Sequence, residues 1–171
     1  MLRFVAFDPV VYDPDEATLL FVPAGPIVAE LTFPIAFVAG VGIVFIRTNL
    51  GQTFNLTYTG TWESLPIIEI TGPITNPTIE NLTTGEKLAL TYTVLNHKTV
   101  TIDLRYGYKT IIGDTGNNLI GTLSGDSDLA TFHLAPDPEA PLGVNQIRVL
   151  GQSVNANTRV TMRYYVRYFG I

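Results

Sequence analysis

The sequence predicts an all-β protein, an antiparallel sandwich or barrel. Two observations carry that prediction: apolar residues recur with period two in one run after another, and turn residues interrupt the runs about every eight to twelve positions. A third bounds it. With 46% hydrophobic and 15% charged residues, the 171-residue chain has the composition of a folded domain rather than a disordered one, and it is long enough for one sizeable core.

The clearest element is KLALTYTVL at 87–95, which puts Leu88, Leu90, Tyr92 and Val94 on one face and Ala89, Thr91 and Thr93 on the other. KTVTIDL follows with Val100, Ile102 and Leu104 in the same phase. The connection NHK is short enough for a hairpin in which Asn96 takes a left-handed turn geometry, so these two strands are expected to pair antiparallel. The runs TFNLTYT, PIIEIT, YKTII, NLIGTL, ATFHL, NQIRVLG and TRVTMRYYVRYF are rich in Thr, Ile, Val, Tyr and Phe and read as further strands. No window carries a helical stripe beyond a turn near Asp13 to Ala17. In the last run, Arg159, Arg163 and Arg167 fall on one strand face with Thr161 and Tyr165 between them. A seam near Gly60 divides an apolar, Pro- and Gly-broken arm at 1–59 from a tidier series of strands at 60–171.

Charge and composition exclude several function classes. A net charge of -5, with Lys and Arg scattered, gives no field for a nucleic-acid backbone. The absence of cysteine removes disulfides, thiolate zinc sites and thiol nucleophiles. MLRFVAFDPV reaches Asp8 and Pro9 before a signal-length apolar core forms. The stretch 27–46 is the most apolar, but Glu30, Pro34, Gly40 and Gly42 interrupt it, so no membrane span is expected.

Catalytic and metal-binding candidates each have a plainer explanation. His97 sits in the expected turn and His133 alternates with Phe132 and Leu134, neither with a partner nearby in sequence. GDTGNN (113–118) and SGDSD (124–128) offer oxygen ligands of the kind calcium prefers without the spaced loop and closing Glu of a calcium hand, and turn chemistry accounts for both. Ser124 and Ser127 lack a nucleophile elbow. Asn55-Leu-Thr57 and Asn81-Leu-Thr83 match the glycosylation pattern, which matters only in a secretory pathway. Glu63, Glu69, Glu80, Asp103, Asp126 and Asp128 are the carboxylates from which a glycosidase pair would be drawn. Trp62, Tyr106, Tyr108, Tyr164, Tyr165 and Tyr168 are the material for a stacking surface facing a sugar or a protein. No catalytic, metal or cofactor site is expected.

The ordered series TYTGTWESLPIIEITGPITNPTIENLTTGEKLALTYTV, KTVTIDLRYGYKTIIGDTGNNLIGTL, SDL and GVNQIRV resembles the C-terminal domain of the distal tail proteins of long-tailed bacteriophages. The likeness rests on Pro66 to Ile68, Gly72-Pro73, Asn76-Pro77, Thr84-Gly85, Ile102-Asp103, Gly116-Asn117, and the late pair Gly143 and Asn145. FDPVVYDP at 7–14 and LTFPIAF at 31–37 are similar to the end of that family's belt domain and its linker. A usual member carries most of a belt upstream of this point, whereas Met1 stands here near the belt's end, as in a divergent short form or one half of a split gene.

The resemblance implies a galectin-like or carbohydrate-binding-module-like jelly roll preceded by an extended β-arm, acting as a structural subunit of a phage or prophage-derived tail, at the distal tail or tail tip, without catalysis. It also implies assembly in the host cytoplasm, other tail proteins as partners, contact with a host-surface glycan, and a homo-oligomer of six copies, with three as the alternative. The other function classes are a stand-alone carbohydrate-binding module and a metal- or carboxylate-dependent hydrolase. Phe33, Ile35, Phe37, Val41, Ile43 and Phe45 are the expected oligomer contacts, because each such side chain gains about 1.5–3 kcal/mol on full burial and together they form an aggregation site if left in water.

Overall fold

Alternation becomes pairing most directly at Ile68 and Ile70. In the structure, a computed structural model that describes residues 10–21 and 50–169, these two stand opposite Met162 and Val160 on one side and Ile102 and Val100 on the other, all six in the core. Among the described residues ten strands follow in chain order: β1 (Val10–Phe21), β2 (Leu50–Thr57), β3 (Ile67–Thr71), β4 (Ile74–Asn81), β5 (Glu86–Ala89), β6 (Thr93–Val94), β7 (Thr99–Asp103), β8 (Thr110–Gly113), β9 (Val144–Gln152) and β10 (Arg159–Phe169). They form two antiparallel sheets, β1-β10-β3-β7-β8 and β2-β9-β4-β5, with β6 pairing β4 beyond β5. The protein is an all-β sandwich. Between the sheets lies one core that includes Leu56, Tyr58, Ile79, Leu88, Ile111, Phe132, Ile147 and Val149.

The expected hairpin at 96–98 is corrected. β6 belongs to the β4 sheet and β7 to the β3 sheet, so this connection crosses from one sheet to the other. Val94 and Val100 both face the core, whereas Leu95, Asn96, His97 and Lys98 are exposed. Alternation fixes which face is buried, but not which sheet the next strand joins. The left-handed residue is His97 rather than Asn96. The run at 87–95 keeps its predicted inward face, but it is split into β5 and β6, because Leu90 bonds Pro77 and Tyr92 bonds Asn76 across an irregular stretch of β4. Asn76 takes positive φ there, and β4 places Asn76 and Pro77 between its pairs to Leu150 and Gln152, a bulge that absorbs the proline.

Two predicted strands are not strands. NLIGTL contains a 3-10 turn at Ile120–Thr122, and ATFHL is a buried crossing in which Phe132, His133, Leu134 and Ala135 are all shielded, so no alternation survives. The turn expected near Asp13 to Ala17 is instead the irregular middle of β1, where Asp13, Pro14 and Asp15 sit between the Tyr12 and Glu16 pairings to β10.

The sandwich has two distinct ends. At one, β1 finishes at Phe21 opposite Val160 and β2 starts at Leu50 opposite Gly151, beside the cis Gly72-Pro73 bond. At the other lie the start of β1, the end of β10, the 104–109 and 82–85 loops, and the 135–143 crossing. The seam at Gly60 falls just beyond β2. Leu56 and Tyr58, before it, are buried in the core.

Candidate functional site

The carboxylates named above are spread over both sheets, and most are held by a cation or a backbone amide. Arg163 binds Glu69 at 2.6 Å, Arg148 binds Glu80, and Arg105 binds Asp103 at 2.6 Å. Burial opposes ionisation of Asp103, but the Arg105 side chain and backbone outweigh it and lower its pKa. The Lys87 ammonium, helped by the Ser124 hydroxyl, holds Asp126 down to about 2. Asp128 accepts from the Lys87 amide at 2.9 Å, and Glu63 offers its carbonyl to Arg167. Among the described residues no group of three or more His, Asp or Glu is placed to hold a metal ion, and no helix is long and apolar enough to cross a membrane.

The two oxygen-rich runs do structural work on strand edges. In 113–118, Gly113 N–H donates to Asn117 O at 2.9 Å, and Leu119 N–H to Ile111 O at 2.8 Å, which covers the outer edge of β8. In 122–128, Thr91 N–H donates to Thr122 O, Ser124 N–H to Ala89 O and Asp128 N–H to Lys87 O, while Ala89 N–H donates to Ser127 Oγ at 3.0 Å. Backbone and short side chains together stand in for a missing strand beside β5. This role was missed from the sequence, where Ser-x-x-Ser-Asp reads only as turn chemistry.

The motif positions that carry the family likeness also have physical roles. Gly143 has φ +70°, and a Cβ there would lie 2.0 Å from Tyr58 O, so only glycine fits. Asn145 is fully buried. Its Nδ2 donates to Ala135 O at 2.9 Å and Gly143 O at 3.1 Å, while its Oδ1 accepts from Ala135 N and from Asn81 Nδ2 at 3.0 Å. Asn81 in turn donates to His133 O and accepts from Thr83 N–H. These two amides stitch the 133–143 crossing to β4 and β9.

Tyr58 closes the same end. Its hydroxyl accepts from Arg167 N–H at 2.9 Å and donates to Trp62 O at 2.7 Å, and its ring meets Tyr164 edge-on at 6.0 Å. Tyr58→Phe leaves two sheltered backbone groups without that oxygen and is expected to lower stability by about 2 kcal/mol without changing the fold, measurable as a shift in the urea midpoint at constant slope.

His133 is clamped through both ring nitrogens. Nδ1 lies 3.0 Å from Glu86 Oε2 and 2.9 Å from Thr131 O, and Nε2 lies 3.3 Å from Glu139 Oε1. Burial pushes the imidazole down, but the Thr131 carbonyl and the carboxylates of Glu86, Glu139 and Glu63 outweigh it and raise its pKa above 6.5. Its contribution to stability is therefore complete below about pH 6.5 and is lost as pH rises through the raised value. Thermal midpoints measured from pH 6 to 8.5 should fall across that window, and His133→Gln should flatten the profile. His97, by contrast, is exposed, with Asn157 Nδ2 3.5 Å from its Nε2.

Among the described residues, seven of the nine exposed large apolar side chains lie at the Tyr58 end of the sandwich: Trp62, Leu82, Tyr106, Tyr108, Leu142, Tyr168 and Phe169. Trp62 leans on Phe169 with ring centres 5.2 Å apart, and the Arg105 guanidinium lies 4.5 Å over the Tyr108 ring. Of the tyrosines expected to form a stacking surface, Tyr164 is instead packed against the core. The apolar residues Phe33, Ile35, Phe37, Val41, Ile43 and Phe45 lie outside the described residues.

Among the described residues, then, the polar groups named above hold the edges and crossings of an all-β sandwich. Residues 59–168 match the family described as siphovirus-type tail component, C-terminal domain, and the chain belongs to that family. It is a tail component of a siphovirus-type virion, a location in which other tail proteins are its partners. No curated protein and no solved structure matches the chain at a significant level.

Proposed function

We propose that this tail component works at the distal tail or tail tip as a non-catalytic structural subunit, assembled in the host cytoplasm as a homo-oligomer of six copies, or three. The observation that carries the reading is topological. The chain leaves β1 at Phe21 and enters β2 at Leu50, both at one end of the sandwich, while the exposed aromatics among the described residues gather at the other end.

In this arrangement the arm, 1–59, contributes β1 and β2 to the edges of the sandwich, 60–171, and its apolar segment makes the inter-subunit contact through Phe33, Ile35, Phe37, Val41, Ile43 and Phe45. The galectin-like sandwich then points its Trp62 and Tyr106 end away from the ring, toward a neighbouring tail protein. The engagement of Glu69, Glu80, Asp103 and Asp126 by Arg or Lys supports a role without catalysis. Immunogold labelling of intact virions with antibody to this chain tests the position: label confined to the tip is expected, and label spaced along the tube refutes it.

The second reading, a carbohydrate-binding module, is favoured by one feature, the exposed Tyr106 and Tyr108 rings beside Arg105. Glycan-array binding by the purified protein, abolished by Tyr108→Ala, would support it.

A further inference from the structure

His133 faces three acceptors, and they are not equivalent. Its Nδ1 lies 2.9 Å from the Thr131 carbonyl and 3.0 Å from Glu86 Oε2 of β5, while Nε2 meets Glu139 Oε1 of the 135–143 crossing at 3.3 Å. A carbonyl only accepts, and Glu86 Oε2 is fixed in place by the His133 amide at 3.1 Å and the Thr84 hydroxyl at 3.1 Å. Nδ1 therefore keeps its proton in both charge states, because the other neutral tautomer would set a lone pair against two oxygens at once. The proton that titrates is the one on Nε2. When it leaves, an imidazole lone pair and a carboxylate oxygen face each other, and the Glu139 contact turns from attraction to repulsion. Glu63, between β2 and β3, also acts on the ring electrostatically, and Lys109, just before β8, acts on Glu63 and Glu86.

The two carboxylates bonded to the ring differ in their freedom. The Glu86 side chain is 14% exposed and stays bonded to the His133 amide, whereas that of Glu139 is 53% exposed and can turn into water. Asn145 holds both ends of the segment that carries Glu139, at Ala135 and Gly143. Between those ends the hydrogen bonds are local: Ala140 N–H to Pro136 O at 2.9 Å, Gly143 N–H to Ala140 O at 2.7 Å and Leu142 N–H to Asp137 Oδ1 at 3.2 Å. Among the described residues, the Glu139 contact with His133 is thus the polar tie from 136–142 to the rest of the sandwich, beside the buried methyl of Ala140. Leu142 stands exposed at the tip with φ +58°, a left-handed backbone that a leucine keeps only where its surroundings hold it.

We propose that His133 and Glu139 form a proton-operated latch on the 136–142 loop: with Nε2 protonated the loop is held, and with Nε2 bare Glu139 turns outward and the loop opens. Because the pKa of His133 stands above 6.5, the latch is closed in acid and opens as pH rises through the raised value. The loop belongs to the end of the sandwich that carries Trp62, Tyr106 and Tyr108, so the charge of one imidazole sets the shape of part of that end. The latch is complete within one chain and does not rest on the assembly reading above.

Hydrogen exchange of the full-length protein, read residue by residue and divided by the intrinsic rate at each pH, tests the latch. Protection of the Ala140 and Gly143 amides is expected to fall about threefold between pH 6 and pH 8.5, the size of one partly exposed ion pair. It should lie below the protection of Ile70 and Ile102 throughout, which marks opening of the loop rather than of the whole sandwich. Glu139→Gln, whose amide can face either form of Nε2, should keep the loop protected at both pH values, and Glu139→Ala should leave it open at both. Imidazole nitrogen shifts at pH 8.5 should report the proton on Nδ1. A neutral ring protonated on Nε2, loop amides as protected as the core, protection that does not change with pH, or an equal fall in Glu139→Gln would each overturn the proposal.

Discussion

Replacing Asn145 by alanine is expected to destabilise the protein by about 4 kcal/mol, the largest effect of any single polar substitution predicted for it. Four hydrogen bonds converge on this amide; without it Ala135 N–H and the Ala135 carbonyl lose their partner where water cannot readily replace it, while Gly143 O keeps only Tyr58 N–H and Asn81 Nδ2 only His133 O. Each buried group left unsatisfied costs about 1–3 kcal/mol, with partial relaxation of the crossing recovering some of the sum. The effect should appear as a large drop in the denaturant midpoint. Asn145→Asp should not rescue it, because a carboxylate cannot donate to the two carbonyls. A variant as stable as the parent would show that the 133–143 crossing is not held in this way.

Deleting residues 1–59 should be more severe still. A chain starting at Gly60 lacks β1 and β2, and with them Leu56 and Tyr58, which are buried at 3% and 2% exposure. The β9 edge is left open along Asn145 to Gly151, and Arg167 N–H loses the Tyr58 hydroxyl. An open, apolar-backed edge of that length is an aggregation template. The truncated chain is expected to be insoluble or to lose its cooperative unfolding transition, whereas a chain that retains 50–171 keeps β2 and should recover part of it. Cooperative unfolding of the 60–171 fragment, with a slope appropriate to its length, would contradict the arrangement.

How far the sequence reached depends on what each residue is asked to do. The all-β class and the inward faces were legible because Ile68 and Ile70, Val100 and Ile102, and Val160 and Met162 repeat at the period that one buried sheet face demands. The partner of each strand was not. β6 and β7 are joined by four residues, Leu95 to Lys98, of ordinary hairpin character, yet they belong to different sheets, and nothing local distinguishes a turn back from a crossing over. ATFHL was misread for a related reason: four consecutive residues are buried because the segment passes through the structure rather than along a sheet, and their backbone groups go to Ser64 and to side chains such as Asn145.

The family motif, by contrast, was legible as a pattern before it was legible as physics. Gly143 and Asn145 stood out only as a late Gly-x-Asn. The structure supplies the reasons: a backbone approach to Tyr58 that admits no Cβ, and an amide with every hydrogen-bonding arm in use. The edge-covering role of 122–128 left no such trace, since Ser127 and Asp128 serve β5 through single bonds that any Ser or Asp in a turn could make.

This tail component is expected to act by assembling through the apolar residues of 31–45. Native mass spectrometry of the full-length chain at micromolar concentration tests it most directly. The expected result is a closed homo-oligomer of six copies, or three, that dissociates when Phe37 and Ile43 are both replaced by aspartate, with the circular dichroism of the sandwich unchanged. A stable monomer of the unaltered chain would contradict it.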